Sequence, residues 1–551
     1  MNAKALNELA EALFAKKKRL HHLWQEIADN FYTERADFTV VRDPGDEYAA
    51  HLMSSYPLII RRDLGDQIGS MLRPVGIPWF KIAPTDPERE DHEARAWLEF
   101  AASVQFKAMY DPVSQFKRAT KEGDHDFATF GQTVISCEIN WDNKDEGPHL
   151  LHRCWHLRDV AWQEDRLGRV GNRYRKWKPT ARELAAMFPG KVHPKVLRLA
   201  QDPGAKCLTE IECKHMVVEA DMYDMEPAKV RGKPWISIYY DCTNRFVIDE
   251  RATWSSTYVI PRWQTVSGCQ YAHSPATIVA LPDARLIQAM SRTLLEAGEK
   301  VANPPMVATE EVVRSDVAIY AGGLTWVDRD YDERLGPAIR PLMTDPKGLP
   351  FGAEMLNDAK SVLSMAFYLN KLRPFLPTQD PQMTAYQAGQ IVAQYIRDAL
   401  PLFEPMESDY NGQICEADFD LLLRGGAFGS PYDMPPTLQG ARTSFSFMSP
   451  LHDAIEAQKT QKFLGMSQLL AAAVQMDPAA HAVPDVIVAF RDALAGNQVP
   501  AKWTRSEADA SAILNQEQQK QQAQEMLSTL VPASQAAKNF GDANKQLAGA
   551  V

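Results

Sequence analysis

Three short clusters in this 551-residue chain carry the residue types that do chemistry. Asp124-His125-Asp126 sets two carboxylates around an imidazole, donors that a metal-dependent nuclease uses to hold a divalent ion and activate water. Read as part of a strand, however, neighbouring residues point to opposite faces, and no second carboxylate or histidine motif lies nearby. Cys207, Cys213 and His215 are zinc-type donors, but structural zinc sites take paired knuckles such as Cys-x-x-Cys. The wide gap between the two cysteines and the single histidine predict buried thiols and a surface imidazole instead. Cys154, flanked by His152 and His156, places three donors on one face of a strand with no fourth ligand in view. None of the three clusters is expected to bind metal.

Other chemistry is missing outright. Nucleotide-driven motion needs the phosphate cradle Gly-x-x-x-x-Gly-Lys-Ser/Thr. Gly204-Ala205-Lys206 and Gly190-Lys191 lack its partner glycine and hydroxyl. Gly-x-Gly-x-x-Gly, Gly-x-Ser-x-Gly and His-Glu-x-x-His are absent too. The sequence reads as a protein without a catalyst or a cofactor. Two basic stretches invite a nucleic-acid reading: Lys16-Lys17-Lys18-Arg19, and Arg-Tyr-Arg-Lys-Trp-Lys at 173–178, which interleaves rings with charge. The blander expectation is favoured for both: the solvated side of an amphipathic helix, and a strand with one wet face.

The composition bounds the elements that must position these residues. Hydrophobic residues are 45% and charged residues 24%, as in folded proteins, and the length suggests about three or four domains. A net charge of -11 argues against a general DNA-coating protein, whose affinity comes from a basic surface. No apolar run reaches the ~18 residues of a membrane span, and the charged N-terminus does not read as a signal peptide. Seven scattered cysteines suit a reducing cytoplasm rather than a disulfide scaffold.

Leu6, Leu9, Leu13, Leu20, Leu23, Trp24 and Ile27 recur at helical spacing, and a further helix is expected over 61–72, before Pro74, Gly76 and Pro78. Residues 130–246 alternate β-prone runs (133–139, 170–174, 216–222, 235–240) with polar turns and a helical piece at 180–188. Leu281-Pro282-Asp283 reads as a helix start. From it Ile287, Met290, Leu294, Gly298 and Val301 recur at steps of three and four, until Asn303-Pro304-Pro305. A second seam, Leu356, Ala359, Leu363, Ala366 and Leu369, ends before Pro374. Seams so narrow suit helices packed in a bundle or ring. A proline-rich loop follows Lys371, helix resumes at a Thr384 cap, and more helices are expected at 451–476, 486–494 and 507–530.

With these elements placed, the chain resembles the portal, or head-to-tail connector, proteins of podovirus-type short-tailed phages. The most specific stretch runs from His273-Ser274-Pro275-Ala276 through Leu281-Pro282-Asp283 to Glu299-Lys300 and Ala302-Asn303-Pro304-Pro305. Also similar are residues 24–28, residues 64–72 with Pro78-Trp79-Phe80, Phe130-Gly131, and Glu164-Asp165 with Gly168. Met383-Thr384-Ala385 and Ser449-Pro450-Leu451 complete the order. After Thr384-Ala385 the chain departs from the family, reading Tyr386-Gln387-Ala388-Gly389.

The resemblance implies a mixed α+β, mainly helical portal fold assembled as a ring at one capsid vertex. Its parts would be an α/β wing (1–280), a first stem helix (281–303), a clip (304–351) and a second stem helix (352–370). A channel loop (371–382), a wing return (383–450) and a crown with C-terminal tail (451–551) would follow. It implies a homo-oligomer, commonly of about twelve subunits. Double-stranded DNA would pass through the channel, driven by the large subunit of a separate terminase. Tail adaptor, capsid and scaffolding proteins would be further partners, with no membrane partner. The location would be the virion's portal vertex, and the host cytoplasm during assembly. The clip carries eight acidic residues against five basic, a docking surface rather than a DNA surface. Lys371 and Arg373 are the expected DNA-facing residues, with Arg285 and Arg292 on the first stem helix. The alternatives are another head–tail ring, an adaptor or tail tube, and a nuclease built on Asp124, His125 and Asp126.

Overall fold

The computed structural model describes residues 1–302, 306–308, 334, 339–341, 348–372, 406–476, 483–496 and parts of 499–522. Within these spans, 44, 75, 87–88, 90, 141–148, 431–432 and 448–449 lie outside the description. The helices are α1 (Ala3–Lys17), α2 (His21–Phe31), α3 (Tyr56–Leu72), α4 (His92–Tyr110), α5 (Phe116–Phe130), α6 (Ala181–Met187) and α7 (Pro194–Ala200). They continue with α8 (Pro227–Val230), α9 (Pro275–Ala302), α10 (Gly348–Ala366), α11 (Leu369–Leu372), α12 (Gln413–Gly425), α13 (Pro450–Met476) and α14 (Val486–Gly496). The strands are β1 (Phe80–Pro84), β2 (Ile135–Asn140), β3 (His149–Cys154), β4 (Val160–Glu164), β5 (Val170–Trp177) and β6 (Cys213–Glu219). After them come β7 (Trp235–Asp241), β8 (Phe246–Thr253), β9 (Tyr258–Val259), β10 (Met306–Ala308), β11 (Ile339–Pro341) and β12 (Thr443–Phe447). The fold is mixed helix and sheet, as the sequence predicts.

The chain divides into two compact units. The first holds Met1–Trp79, Val104–Phe428 and Ser449–Leu451, and the second holds Phe80–Ser103, Gly429–Met448 and His452–Val551. At the centre of the first lies an antiparallel sheet ordered β4-β5-β6-β7-β8. Period-two alternation gives it two apolar faces. Leu6, Ala10, Leu13 and Phe14 of α1 cluster with Tyr174, Met216, Val218, Ile236, Ile238 and Tyr240. A second cluster joins Ala181, Leu184, Phe188 and Val196 to Cys213 and Ile248. Thr180 and Glu183 form a reciprocal capping box, which explains why the helical piece starts where it does.

The two basic stretches differ in outcome: Lys16, Lys18 and Arg19 are exposed, as a solvated helix face predicts, and the departures are Lys17 and the run at 173–178. Lys17 is buried, and its ammonium donates to the carbonyls of Leu157, Arg158 (3.1 Å) and Val160 (2.6 Å). Burial pushes its pKa well down despite the nearby Asp159 carboxylate. The run at 173–178 is a strand, but its arginines face inward. The Arg175 guanidinium lies 3.7 Å from the Trp155 ring centre and donates to the Tyr258 hydroxyl at 2.7 Å. Arg173 covers Trp235 at 4.9 Å, and burial lowers its pKa to about 10 against the pull of Glu219. Of the interleaved rings, Trp177 lies 4.7 Å from the Arg175 guanidinium and Tyr174 packs in the α1 core, so neither a wet face nor a single-strand platform is present there.

Beside Lys17, His21 is buried near the Trp24 and Phe38 rings. Burial, aided by the Lys17 charge, lowers its pKa to about 4. The unfolded chain therefore takes up this proton first, near pH 6.5. Stability is expected to be flat above that pH and to fall as pH drops from 6.5 to about 4, by up to about 3 kcal/mol from this group. Urea midpoints measured across that window should show a shallower slope in His21→Phe; an unchanged slope would remove His21 from the cause.

The second unit pairs β1 with β12, Phe80 opposite Phe447, with the Phe80 and Phe445 rings 5.9 Å apart. The predicted terminal helices are present as α13 and α14, whose Phe463 and Phe490 rings meet at 5.8 Å. The segments expected as channel loop and Thr384-capped helix lie outside the described residues, as does most of 304–351; of 507–530, residues 509–513, 515–517 and 519–522 are described and helical. Of that insert, β10 and β11 pair antiparallel, Met306 opposite Pro341.

Candidate nucleic-acid interface

Two of the four expected DNA-facing residues, Arg285 and Arg292, lie on α9, which packs against α10. Leu281-Pro282-Asp283 is not the helix start. The helix begins two turns earlier, at Pro275, and Pro282 sits inside it. Ser274 is the reason. Its hydroxyl oxygen accepts from the Thr277 amide at 3.4 Å, supplying the cap that the Pro-Asp motif was expected to give. The proline removes one interior N–H and with it one helical bond.

The base of α9 is clamped to α5. Ser274 Oγ donates to the Ala128 carbonyl and Thr277 Oγ1 to the Thr129 carbonyl, both at 2.7 Å. Gly131, at φ 72°, ends α5 so close to this junction that an added Cβ would overlap the His273 carbonyl and the Ser274 amide. Further along, the Gln288 amide holds a loop: its oxygen accepts from Met53 N (2.8 Å) and Ser54 N (2.9 Å), and its nitrogen donates to Ser54 O (2.8 Å). Tyr56 donates to the Lys360 carbonyl at 3.0 Å, tying α3 to α10. Phe367 is buried against Phe31, ring centres 5.3 Å apart.

The two seams read from the sequence are the faces the pair turns inward, except at Val301, which is half exposed near the end of α9. Ile287, Ala359 and Leu363 are buried, while Met290 and Leu294 are half-buried. At Gly352 the helices touch so closely that a Cβ would come within 2.7 Å of Leu294 Cδ2. Outside the seams a different set of large apolar residues is exposed: Val279 (63%), Leu286, Leu295 (56%), Phe351 (66%), Met355 and Met365.

Three of the four expected DNA-facing residues can be placed. Arg285 pairs with Glu26 of α2 and remains half exposed. Arg292 pairs with Glu296 one turn on, at 3.1 Å. Lys371, exposed on α11, follows Tyr368, whose φ of 57° breaks the helix after α10. Among the described residues no carboxylate pairs with Lys371. Its amine lies 6.0 Å from the Tyr368 ring. Arg373 lies outside the described residues.

The nuclease cluster is taken apart by the fold. Asp124, His125 and Asp126 lie on α5, a helix and not a strand, so they point about 100° apart. Each serves a different arginine. Asp124 pairs with buried Arg73, and Asp126 with Arg35 at 3.0 Å. His125 Nδ1 lies 3.1 Å from Arg61 Nη1. Burial, with the Arg61 charge, lowers the His125 pKa, so it stays a neutral acceptor for that arginine. Three crossbars leave no shared ion position.

The cysteine clusters separate as well. His215 is not at the surface but buried between the Tyr258 hydroxyl (2.6 Å) and Ser237 Oγ (2.7 Å). Cys213 belongs to the core, and Cys207 sits on a 3₁₀ turn. Cys154 faces Asp126 and Thr133, and His156 reaches Asp37, while His152 turns to Asp418.

The arginine crossbars and the Gln288 loop clamp were invisible in the sequence because their partners lie far apart. Only Phe130-Gly131 carried a local signal, a glycine just past a helix end.

A protein-family model described as bacteriophage head to tail connecting protein matches residues 3–504. A curated protein named "Portal protein", from Salmonella phage epsilon15, is 19% identical over 397 residues, covering 71% of this chain and 67% of that one. No described helix is long and apolar enough to cross a membrane.

Proposed function

This chain belongs to the bacteriophage head-to-tail connecting proteins, the portal family of short-tailed phages, and on that premise we propose that it assembles into a closed ring of about twelve subunits. The ring is the channel for genome packaging by a separate terminase motor and for DNA exit, and the attachment point for the tail. The observation that supports assembly is the α9–α10 pair, whose large apolar side chains outside the inward seams remain exposed. Large apolar side chains left exposed in such number along one helix pair suit contact with another protein. A ring of such pairs covers them and leaves an open axis.

Mechanism follows from charge. Each tightly held phosphate adds affinity, and a channel gripping many of them would stall the motor. An acidic chain with a few cations at the narrowest point centres the duplex and resists its backsliding. Lys371, exposed and without an ion-pair partner among the described residues, suits that role best, with Arg373 two residues on. Arg285 and Arg292 are already engaged by Glu26 and Glu296, which weakens their hold on phosphate and makes them secondary. Residues 304–351 dock the terminase and later the tail adaptor.

Electron microscopy of the purified protein with two-dimensional averages tests the ring. Annular particles with an open channel are expected; compact particles under every assembly condition would refute it. Lys371→Ala combined with Arg373→Ala is expected to leave rings intact and to lower the DNA retained per capsid. Normal packaging and retention in that double variant would remove the channel-loop role.

A further inference from the structure

Among the described residues, one group of three metal-type donors lies within reach of a single ion: Cys137, His152 and Asp418, all buried. Cys137 on β2 and His152 on β3 are directly opposed in the antiparallel register. Asp418 comes from α12, 266 residues beyond His152, on the segment that returns after the undescribed stretch. Their ligand atoms all lie within 4.8 Å of one another.

The hydrogen-bond roles in this group are the telling feature. His152 Nδ1 sits 3.2 Å from the Ser114 carbonyl, which only accepts, so Nδ1 carries a proton. A neutral imidazole so fixed turns the bare lone pair of Nε2 toward Asp418. Both carboxylate oxygens are 3.0 Å from that nitrogen, and a carboxylate also only accepts. Something positive must sit between them: a second proton or a cation. A backbone carbonyl fixing the far ring nitrogen is how metal-ligating histidines are commonly oriented. The Cys137 thiol lies beside the same carboxylate.

We propose that Cys137, His152 and Asp418 form a buried structural zinc site that fastens α12 to the β2–β3 pair. Thiolate, imidazole and carboxylate together suit zinc and disfavour magnesium or calcium, which take oxygen ligands. The charge balances: zinc with one thiolate, one neutral imidazole and one carboxylate sums to zero, the state a dry interior tolerates. Starting from a thiol, an imidazolium and a carboxylate, binding releases two protons, one from Cys137 Sγ and one from His152 Nε2. Since the site is closed to solvent, zinc enters as the chain folds.

The test is the metal content of the full chain, expressed with zinc and purified without chelator, beside Cys137→Ala and Asp418→Asn. About one zinc per chain is expected in the unaltered protein, falling to background in both variants. Refolding with cobalt in place of zinc should give a thiolate-to-cobalt charge-transfer band that Cys137→Ala abolishes. Unaltered protein with neither zinc nor the cobalt–thiolate band overturns the proposal and leaves a metal-free Cys–Asp–His hydrogen-bond chain. Zinc retained in Cys137→Ala overturns it as well. Should the variants not fold, the cobalt spectrum of the unaltered chain decides alone.

Discussion

Replacing Arg73 with alanine is expected to cost about 3–5 kcal/mol of folding stability, among the largest losses for any single side chain here. Arg73 is buried at the end of α3 and pairs with Asp124 of α5, buried in turn. Its second nitrogen donates to Asn411 Oδ1 at 2.6 Å, and Asn411 returns a bond to the Leu72 carbonyl at 3.1 Å. The Tyr410 ring lies 4.8 Å from the guanidinium. Three segments distant in sequence therefore meet on one cation. Removing it strands the Asp124 carboxylate in a low dielectric, where burial already raises its pKa against the pull of Arg73. Urea denaturation of the full chain should show the loss. Arg62→Ala, whose ion-pair partner among the described residues is the exposed Asp63 at 3.8 Å, should stay within about 0.5 kcal/mol. Similar midpoints for the two variants would show that the Arg73 network contributes little. The double change Arg73→Met with Asp124→Leu should recover much of the loss, because the stranded charge is then gone.

Gly131→Ala is the second. Its φ of 72° costs any other residue about 1–2 kcal/mol, and its Cβ would also strike the backbone between His273 and Ser274. Backbone cannot turn aside as a flexible side chain can, so a total loss of about 3 kcal/mol or more is expected. Gly168→Ala is the control. Its φ is similar at 75°, but nothing lies within 4 Å of its Cβ position, so it should show the conformational cost alone. Equal shifts in thermal midpoint for the two would mean that the α5–α9 junction yields. A larger shift for Gly131 would also loosen the base of α9, so ring yield should fall with it.

What could be read from the sequence follows the range of the forces involved. Helix α6 was legible because local patterns, here a Thr-x-x-Glu box, act within a few residues. The inward seams of α9 and α10 were legible for the same reason. The start of α9 was misplaced because Pro-Asp imitates a helix start, whereas the actual cap, Ser274, stands one residue ahead of another proline. Lys17 and Arg175 were expected in solvent because residue type sets the prior. Their burial depends on carbonyls 140 or more residues away and on rings from other strands. The same distance hid the Cys137–His152–Asp418 group. His152 was weighed with its chain neighbours Cys154 and His156, while its real partners lie across the sheet and on α12.

The bond from Arg73 to Asn411 spans 338 residues. On a ribosome adding about 5–20 residues per second, some 20–70 s separate the two side chains' synthesis. Throughout that interval the N-terminal body lacks the segment that completes its ionic core, and Asp124 and Arg73 remain accessible to water. A nascent chain with this core unfinished is expected to engage chaperones for much of its synthesis. Subunits of the proposed ring are therefore expected to associate only after the return segment has been made.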